Sequence, residues 1–167
     1  MAGNMKAVKL RIKSVQSTMQ ITKAMELVAS SKLRKAKERA ETCRPYFTEL
    51  HETLKDIARE NIDFSSVYAR ESSNPRYCYV AIAGDRGLAG GYNANLFKCL
   101  EAAAEGKDYV VLPIGKKAVE YFRQRGIECL TDKFAEIADI SVADCFEIAN
   151  LLCEEFRKGT FGHVELC

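Results

Sequence analysis

Apolar side chains recur at alternating spacings of three and four residues along the first sixty positions. In the register that runs from Met5 to Ile57, fourteen of sixteen positions are apolar. A period of 3.5 residues that persists for about seven heptads is typical of a coiled-coil seam. The pattern predicts one long helix whose seam includes Met5, Val8, Ile12, Val15, Met19, Leu33, Ala36, Ala40, Phe47, Leu50, Leu54 and Ile57.

Pro45 lies inside this register without shifting it. A proline within a helix removes one backbone hydrogen bond and presses on the carbonyl group four residues earlier, here that of Glu41. Because the phase continues unchanged through Phe47 and Leu50, we expect one helix with a local kink. The alternative, two helices separated near Arg44, stays open from the sequence.

The predicted helix needs a partner. About 55 residues at ~1.5 Å each give a length of roughly 80 Å, whereas the remaining residues, if globular, have a diameter of about 35 Å. The chain's own domain therefore cannot cover the whole seam. The twelve positions that flank the seam carry seven cations and no anion, so two copies of the helix would repel each other. We expect a different helix, with neutral or acidic flanks, as the partner.

A second apolar face lies midway along the same helix, outside the seam. Its residues follow the spacing i, i+4 and i+7, and cations lie beside them. We interpret this band as a contact surface for something other than the partner helix. The alternatives are that it packs on the chain's own globular part or only widens the seam. The band consists of Ile21, Met25 and Val28 with the cations Lys23, Lys32 and Arg34.

After the helix, residues 61–76 break the pattern with Ser-Ser and Asn-Pro pairs and are predicted to be a linker. Strands and helices then alternate: strand 77–83, helix 93–105, strand 108–114, helix 116–125, short strand 127–130, helix 141–158 and a strand from 163. This order predicts an α/β fold with a parallel-type sheet flanked by helices, three-layered and Rossmann-like. The predicted domains are 1–60, 61–76 and 77–167, and the strand that stops at Cys167 leads us to expect a C-terminally truncated chain.

Charge and cysteine content add to this picture. Residues 1–60 carry 13 Lys and Arg against 7 Asp and Glu, a net +6, and residues 61–167 carry 12 against 16, a net −4. The basic helix thus favours an acidic partner. Seven cysteines, never spaced C-x-x-C, are interpreted as reduced thiols that serve as small hydrophobes in an intracellular protein. We expect no metal site, because there are two histidines and no Cys/His cluster.

The glycine-rich turn at residues 84–91 follows a strand and precedes a helix, as nucleotide-binding turns do. Its glycines do not fit G-x-G-x-x-G, and no Gly-Lys-Ser/Thr follows. No G-x-S-x-G elbow occurs either. The remaining carboxylates are scattered, and helix capping near Ser141 and Asp139 explains some of them. We therefore expect no catalytic residue and no cofactor.

Two other functional classes stay open. A nucleotide- or flavin-binding α/β enzyme would use the turn from Gly84 to Gly91 to hold phosphate. A basic coiled-coil protein could bind nucleic acid through the charged helix, although the apolar seam disfavours this. No run approaches the ~20 apolar residues of a membrane span.

Three motifs together resemble the gamma subunit of the rotary F-type ATP synthase. Residues 21–36, ITKAMELVASSKLRKA, are similar to the family's shaft signature, and residues 44–46, RPY, follow at the expected distance. Residues 85–91, DRGLAGG, followed by Asn93 and Asn95, resemble the family's D-R-G-L-C-G-G loop, with Ala89 in place of the frequent cysteine. The family normally continues into a second long helix that pairs with the first, and that segment is missing here.

The resemblance implies a central rotor shaft without catalytic residues, inside a ring of alpha and beta subunits. It would couple proton translocation through the membrane sector to ATP synthesis or hydrolysis at the beta subunits. Other implied partners are the epsilon subunit, the membrane c-ring and the missing C-terminal helix, with no nucleic acid and no membrane insertion. We expect a peripheral location on the cytoplasmic side of a bacterial cell membrane.

The resemblance also implies two sets of site residues. The residues implied to contact the beta subunits are Ile21, Lys23, Met25, Val28, Lys32 and Arg34. The second set forms an interface loop of the globular part, near the catalytic ring and the foot of the rotor. Its residues are Asp85, Arg86, Gly87, Leu88, Gly90 and Gly91.

Overall fold

A computed structural model of the chain describes residues 2–60, 66–68, 72–87, 89–137 and 140–167. The chain forms two compact units, residues 1–64 and 65–167. Leu88, Asp139 and the parts 61–65 and 69–71 of the predicted linker lie outside the described residues.

The described residues of the first unit form one helix, α1, from Ala2 to Glu60, and Pro45 lies inside it. The interpretation as two helices broken near Arg44 is therefore wrong. Proline has no backbone N–H and so makes one hydrogen bond fewer, but the helical turns on both sides of it keep their own backbone hydrogen bonds. Threonine hydroxyls add local bonds there: Thr42 Oγ1 donates to the carbonyl of Glu38 at 2.8 Å, and Thr48 Oγ1 donates to that of Arg44 at 3.0 Å.

The second unit contains a parallel sheet of three strands, in which β1 (Tyr77–Ile82) lies between β2 (Tyr109–Ile114) and β3 (His163–Leu166). Tyr77 is in register with Tyr109 on one side and with His163 on the other. The strands at 77–82 and 109–114 consist of β-branched, aromatic and other apolar residues and are largely buried, which suits strands covered on both faces. The strand at 163–166, HVEL, is half polar, and its Val164 and Leu166 are exposed. The elements are β1 (Tyr77–Ile82), α2 (Tyr92–Ala104), β2 (Tyr109–Ile114), α3 (Lys116–Gln124), α4 (Val142–Lys158) and β3 (His163–Leu166).

The prediction of a short strand at residues 127–130 is wrong. Only one isolated parallel bridge forms there, between Cys129 and Val111. The Val111 N–H donates to Glu128, and the Leu130 N–H donates back to Val111. After this pair of bonds the chain enters the turn that contains Thr131, so no ladder continues. The bridge lies on the far side of β2 from β1, whereas β3 lies on the other side of β1. Successive strands are therefore added to the sheet first on one side of β1 and then on the other, as in Rossmann-like folds.

Two cores lie on opposite faces of this sheet. On one face, α2 and α3 pack through Phe97, Leu100 and Phe122 against Tyr79 and Val111. The other face carries a core with α4, whose contributing side chains include Ile148, Leu152 and Phe156. The residues that this second core buries are Cys78, Val80, Val110, Leu112, Ile114, Phe134 and Phe161. The three-layer α/β fold predicted from the sequence is confirmed.

Helix α4 starts at a capping box. Ser141 Oγ accepts the backbone N–H of Asp144, and the Asp144 carboxylate accepts the backbone N–H of Ser141. Hydrogen bonds from the Ser141 hydroxyl and backbone lower the pKa of Asp144 below its usual value. Capping thus explains Ser141, as predicted.

The cysteines differ in how far their side chains are exposed to solvent. All seven are free thiols. Cys78 is buried in the sheet, and burial raises its pKa to about 12. Cys43, Cys99 and Cys145 are exposed, and Cys129, Cys153 and Cys167 are half-buried. Periodicity alone does not tell which side of an apolar helix the rest of the fold covers.

Candidate functional site: the seam of α1 and the glycine-rich loop

The seam of α1 is exposed along nearly all of its length. Its large side chains range from 43% exposed at Leu50 to 71% at Leu33. Ala36 and Ala40 are exposed as well, and Ile57 is half-buried. An amphipathic helix gains most of its stability from burial of its apolar face. Residues 2–60, the described part of the first unit, form only this helix and offer no second element for that purpose.

The second face of α1 is also exposed. Ile21, Met25 and Val28 are 58–65% exposed and lie on one side of the helix by their spacing. The cations Lys23 and Lys32 of the same stretch are exposed as well. A guanidinium nitrogen of Arg34 lies 3.9 Å from a carboxylate oxygen of Glu38 one turn later, in a pair that is mostly solvated. Such exposed pairs contribute only about 0.3–0.5 kcal/mol, so Arg34 can exchange this partner for another at little cost.

The glycine-rich loop of the second unit begins where β1 ends. Its start and its end are joined by the Asn93 side chain, whose Oδ1 accepts the Gly84 N–H at 2.9 Å. The Tyr92 hydroxyl donates to the carbonyl of Ile82 at 2.8 Å. Tyr92 and Asn93 are the first residues of helix α2. The first turn of that helix is therefore hydrogen-bonded to Ile82, at the end of β1, and to Gly84, at the start of the loop. The sequence analysis missed the part played by Tyr92.

Asp85 connects this loop to two more distant segments. Its Oδ1 accepts the backbone N–H of Lys116, at the start of α3, at 3.2 Å. The same oxygen accepts the backbone N–H of Ile137 at 2.9 Å. A helix N-terminus is where nucleotide-binding folds hold a phosphate group. In this chain a carboxylate of the chain itself occupies that position at α3.

The rest of the loop faces solvent. Arg86, Gly87, Gly90 and Gly91 are exposed. Gly90 has φ +60, in the left-handed region that favours glycine. Leu88, the remaining predicted loop residue, lies outside the described residues. Asp85 is thus half-buried and bonded to two distant segments, whereas the described loop residues after it are exposed.

The histidines and the other carboxylates make ordinary surface contacts. The His51 ring stacks on Phe47 at 5.7 Å, and that of His163 stacks on Tyr77 at 4.6 Å between centroids. Asp132 pairs with Arg123 at 2.6 Å. Among the described residues, no group of three or more His, Cys, Asp or Glu side chains could hold a metal ion. No helix in the described ranges is both long enough and apolar enough to span a bilayer.

The chain thus combines a 59-residue helix with an exposed apolar seam and a Rossmann-like unit whose first loop is closed by its own side chains. These features define a class of α/β proteins that combine one long helical unit with one Rossmann-like unit.

The comparisons with known proteins give the family. A family model described as ATP synthase matches residues 4–167. The chain is 50% identical to an ATP synthase gamma chain of Ruminococcus albus over 98% of its own length, and 42% identical to one of Alkaliphilus metalliredigens over 95%. It is also 37% identical to the "ATP synthase gamma chain, sodium ion specific" of Acetobacterium woodii, over 98% of its length. The chain therefore belongs to the ATP synthase family, and these relatives are gamma chains.

The chain spans 55–59% of the length of these relatives.

Proposed function

We propose that this chain provides the shaft helix and the globular domain of the central rotor subunit of an F-type ATP synthase. The observation that carries the proposal is the exposed seam of α1 in a chain of this family. A rotor subunit needs no catalytic residue, because its work is to transmit torque between a membrane sector and a catalytic ring. We place it on the cytoplasmic side of a bacterial cell membrane, as a peripheral subunit.

The proposed partner of the seam is a second long helix, from the C-terminal part of a gamma subunit. The relatives extend well beyond the matched region, so they have room for such a helix. Pairing along the seam would bury the apolar side chains from Met5 to Ile57 and stiffen the shaft against twisting. The cationic flanks favour a partner helix whose own flanks are neutral or acidic.

The proposed contact with the beta subunits is the face of α1 that contains Ile21, Met25 and Val28, together with Lys23, Lys32 and Arg34. A rotor must make and release contacts at every step, so weak contacts suit it. Solvated charge pairs are worth less than about 1 kcal/mol each, and the apolar residues add contact area without a fixed geometry. The loop at 85–91 is proposed to contact the ring, the epsilon subunit or the c-ring.

The proposed reaction is the coupling of proton movement to ATP synthesis or hydrolysis at the beta subunits. The name of the Acetobacterium woodii relative specifies sodium ions. A rotor shaft transmits torque whichever ion drives the membrane sector, so the choice of ion resides in other subunits. We therefore expect the same shaft function with either ion.

The test is reconstitution. The chain is combined with the C-terminal segment of the Ruminococcus albus gamma chain and with bacterial alpha and beta subunits that lack gamma. ATP hydrolysis and the rotation of a bead attached to the globular domain are then measured. We expect complex formation, hydrolysis and rotation that require both the chain and the added segment.

A matched pair of variants tests the seam. Leu33→Glu places a charge in the seam, whereas Ser31→Glu places the same charge on the opposite side of the helix. We expect Leu33→Glu to prevent pairing with the added segment and Ser31→Glu to leave it intact. Equal effects of the two variants, or assembly without the added segment, would contradict the proposal.

The nucleotide- or flavin-binding alternative has its own test. The Asp85 carboxylate already occupies the start of α3, which disfavours a phosphate group there. Titration of the chain with ATP, NAD and FMN, followed by calorimetry, should give no binding at micromolar concentrations. Micromolar binding that is lost on mutation of the loop would favour the enzyme instead.

A further inference from the structure

Three connections of the second unit meet beyond the carboxyl ends of β1 and β2. They are the loop that begins at Gly84, the turn at Gly115, and the segment around Phe134. The Gly115 N–H donates to the carbonyl of Phe134 at 2.9 Å, and the Lys117 N–H donates to that of Gly84 at 3.1 Å. These bonds join backbone to backbone, and each joins only two of the three connections.

Asp85 is the side chain that joins all three. Its Oδ1 atom accepts N–H bonds from Lys116 and Ile137, residues 31 and 52 positions away in sequence. The acceptor carries a negative charge, and Lys116 opens α3, so the helix dipole adds to the attraction. Hydrogen bonds to charged groups are also stronger than neutral ones. Asp85 itself is half-buried, which limits competition from water.

One other contact spans part of the same junction. Lys116 Nζ lies 2.6 Å from a carboxylate oxygen of Glu136. Both side chains are about half exposed, so this ion pair contributes little. It gives a control, because it links α3 to the 134–137 segment through a different side-chain pair.

The far end of the loop is held by Tyr92 and Asn93, as described above. Between Asp85 and Tyr92 the described residues are exposed, and three of them are glycines. Glycine backbone is the most permissive, so such a segment keeps one shape only when both of its ends are fixed. Asp85 fixes the first end and lies next to the exposed cation Arg86.

We propose that Asp85 is a positioning residue: its carboxylate fixes the backbone of residues 86, 87 and 89–91 and so sets the geometry in which Arg86 is presented to a partner. The inference rests on the proposed function only in that the partner is the ATP synthase complex. The acceptor oxygen is central to this role, because the N–H bonds from Lys116 and Ile137 both end on that atom.

The test compares four variants of the full chain by NMR. Asp85→Ala removes the acceptor, and Asp85→Asn keeps an amide oxygen at the same place. Glu136→Gln breaks the neighbouring ion pair, and Ser141→Ala removes the α4 cap and so destabilises the same unit elsewhere. The measured quantities are amide exchange at Lys116 and Ile137 and the backbone order parameters of residues 86–91.

We expect Asp85→Ala to speed exchange at both amides about tenfold, as loss of a bond to a charged acceptor implies. The loop order parameters should fall from about 0.85 to below about 0.6. Asp85→Asn should stay within about threefold of the unmodified chain in exchange. Glu136→Gln and Ser141→Ala should leave the loop order parameters unchanged.

Several results would overturn the inference: an ordered loop in Asp85→Ala, a loop in Asp85→Asn as mobile as in Asp85→Ala, or the same mobility in Glu136→Gln. If Asp85→Ala does not fold, the unmodified chain still decides. Couplings across the hydrogen bonds, from the Lys116 and Ile137 nitrogens to the Asp85 carboxyl carbon, should be present, and their absence refutes the contact.

A second measurement connects the loop to its partner. In the reconstitution described above, Asp85→Ala should weaken association of the chain with the other subunits about tenfold, a change that corresponds to ~1.4 kcal/mol, while Asp85→Asn and Ser141→Ala should not. Unchanged association would refute the presentation of Arg86. Failure of every variant and of the unmodified chain to assemble would refute the proposed function, and the NMR result would still stand.

Discussion

The carbonyl oxygen of Ala83 lies 2.0 Å from the point where a side chain on Gly115 would begin. The residue after β1 and the turn after β2 therefore lie too close together for any side chain at position 115. Gly115 has φ +93 and ψ +146, a region that only glycine adopts without strain. This contact sets the two connections side by side, and it allows Asp85 to reach the first turn of α3.

Gly115→Ala should destabilise the second unit by at least about 3 kcal/mol, since backbone strain and a steric clash act together. The measurement is urea unfolding followed by circular dichroism and tyrosine fluorescence. Gly126→Ala is the matched control, because Gly126 also has positive φ, +66, but has open space around it. It should cost only about 1 kcal/mol. Equal losses would mean that the approach of Ala83 is unimportant.

Phe122→Ala should cost about 3–5 kcal/mol, the usual penalty for a large cavity in a core. Phe122 is fully buried between α3 and the sheet. Phe146→Ala makes the same chemical change on α4, where the side chain is 68% exposed, and should change stability by less than about 0.5 kcal/mol. Chemical unfolding of both variants checks the difference. A large loss in Phe146→Ala would show that this side chain is covered.

The Asp144 carboxyl predicts a pH dependence of stability. Its pKa is lower in the folded chain than its ordinary value of 3.8, chiefly because of hydrogen bonds from Ser141. A lowered carboxyl pKa stabilises the fold fully above the ordinary value, and the contribution is lost as the pH falls through the folded-state pKa. The stability advantage of the unmodified chain over Asp144→Asn should therefore be constant from pH 7 to about pH 5 and shrink below pH 3.8. Urea midpoints across this range provide the measurement, and a constant difference down to pH 3 would contradict it.

Cys78 should resist alkylation while the chain is folded. With a pKa of about 12, its thiolate fraction at pH 8 is on the order of one in ten thousand. Iodoacetamide should label the exposed Cys43, Cys99 and Cys145 first, and Cys78 only after unfolding. Mass spectrometry of timed samples assigns the order. Early labelling of Cys78 would show that β1 is accessible.

Two substitutions on α1 test the proposed beta-subunit contact in the assembled complex. Lys23→Ala should change the number of protons pumped per ATP only slightly, because a single exposed charge pair is worth less than about 1 kcal/mol. Met25→Lys should lower this ratio, because the added cation would hold an acidic partner surface too long. Gln16→Lys adds the same charge nine residues earlier, on the opposite side of the helix, as a control. A normal ratio in Met25→Lys would argue against the contact.

The sequence predicted those parts of the fold that depend on local periodicity. The 3.5-residue repeat gives α1 as one helix through Pro45, because each turn needs only its neighbours. The apolar runs at β1 and β2 and the Ser141 cap of α4 are local in the same sense. The short strand around Cys129 was predicted wrongly, because strand formation depends on how long a neighbour stays in register with it.

The candidate site could be predicted only in part, for a physical reason. The residue types of the loop at 84–91 were visible in the sequence, but Asp85 bonds to backbone groups 31 and 52 residues away. Backbone N–H groups are the same in every residue except proline, so no sequence pattern marks which ones a carboxylate will meet. The sequence by itself determined the long helix, its seam and its charge. The strand order β2-β1-β3, the close approach of Gly115 to Ala83 and the junction at Asp85 were decided by tertiary packing, because these contacts exist only once the crossovers have brought distant segments together.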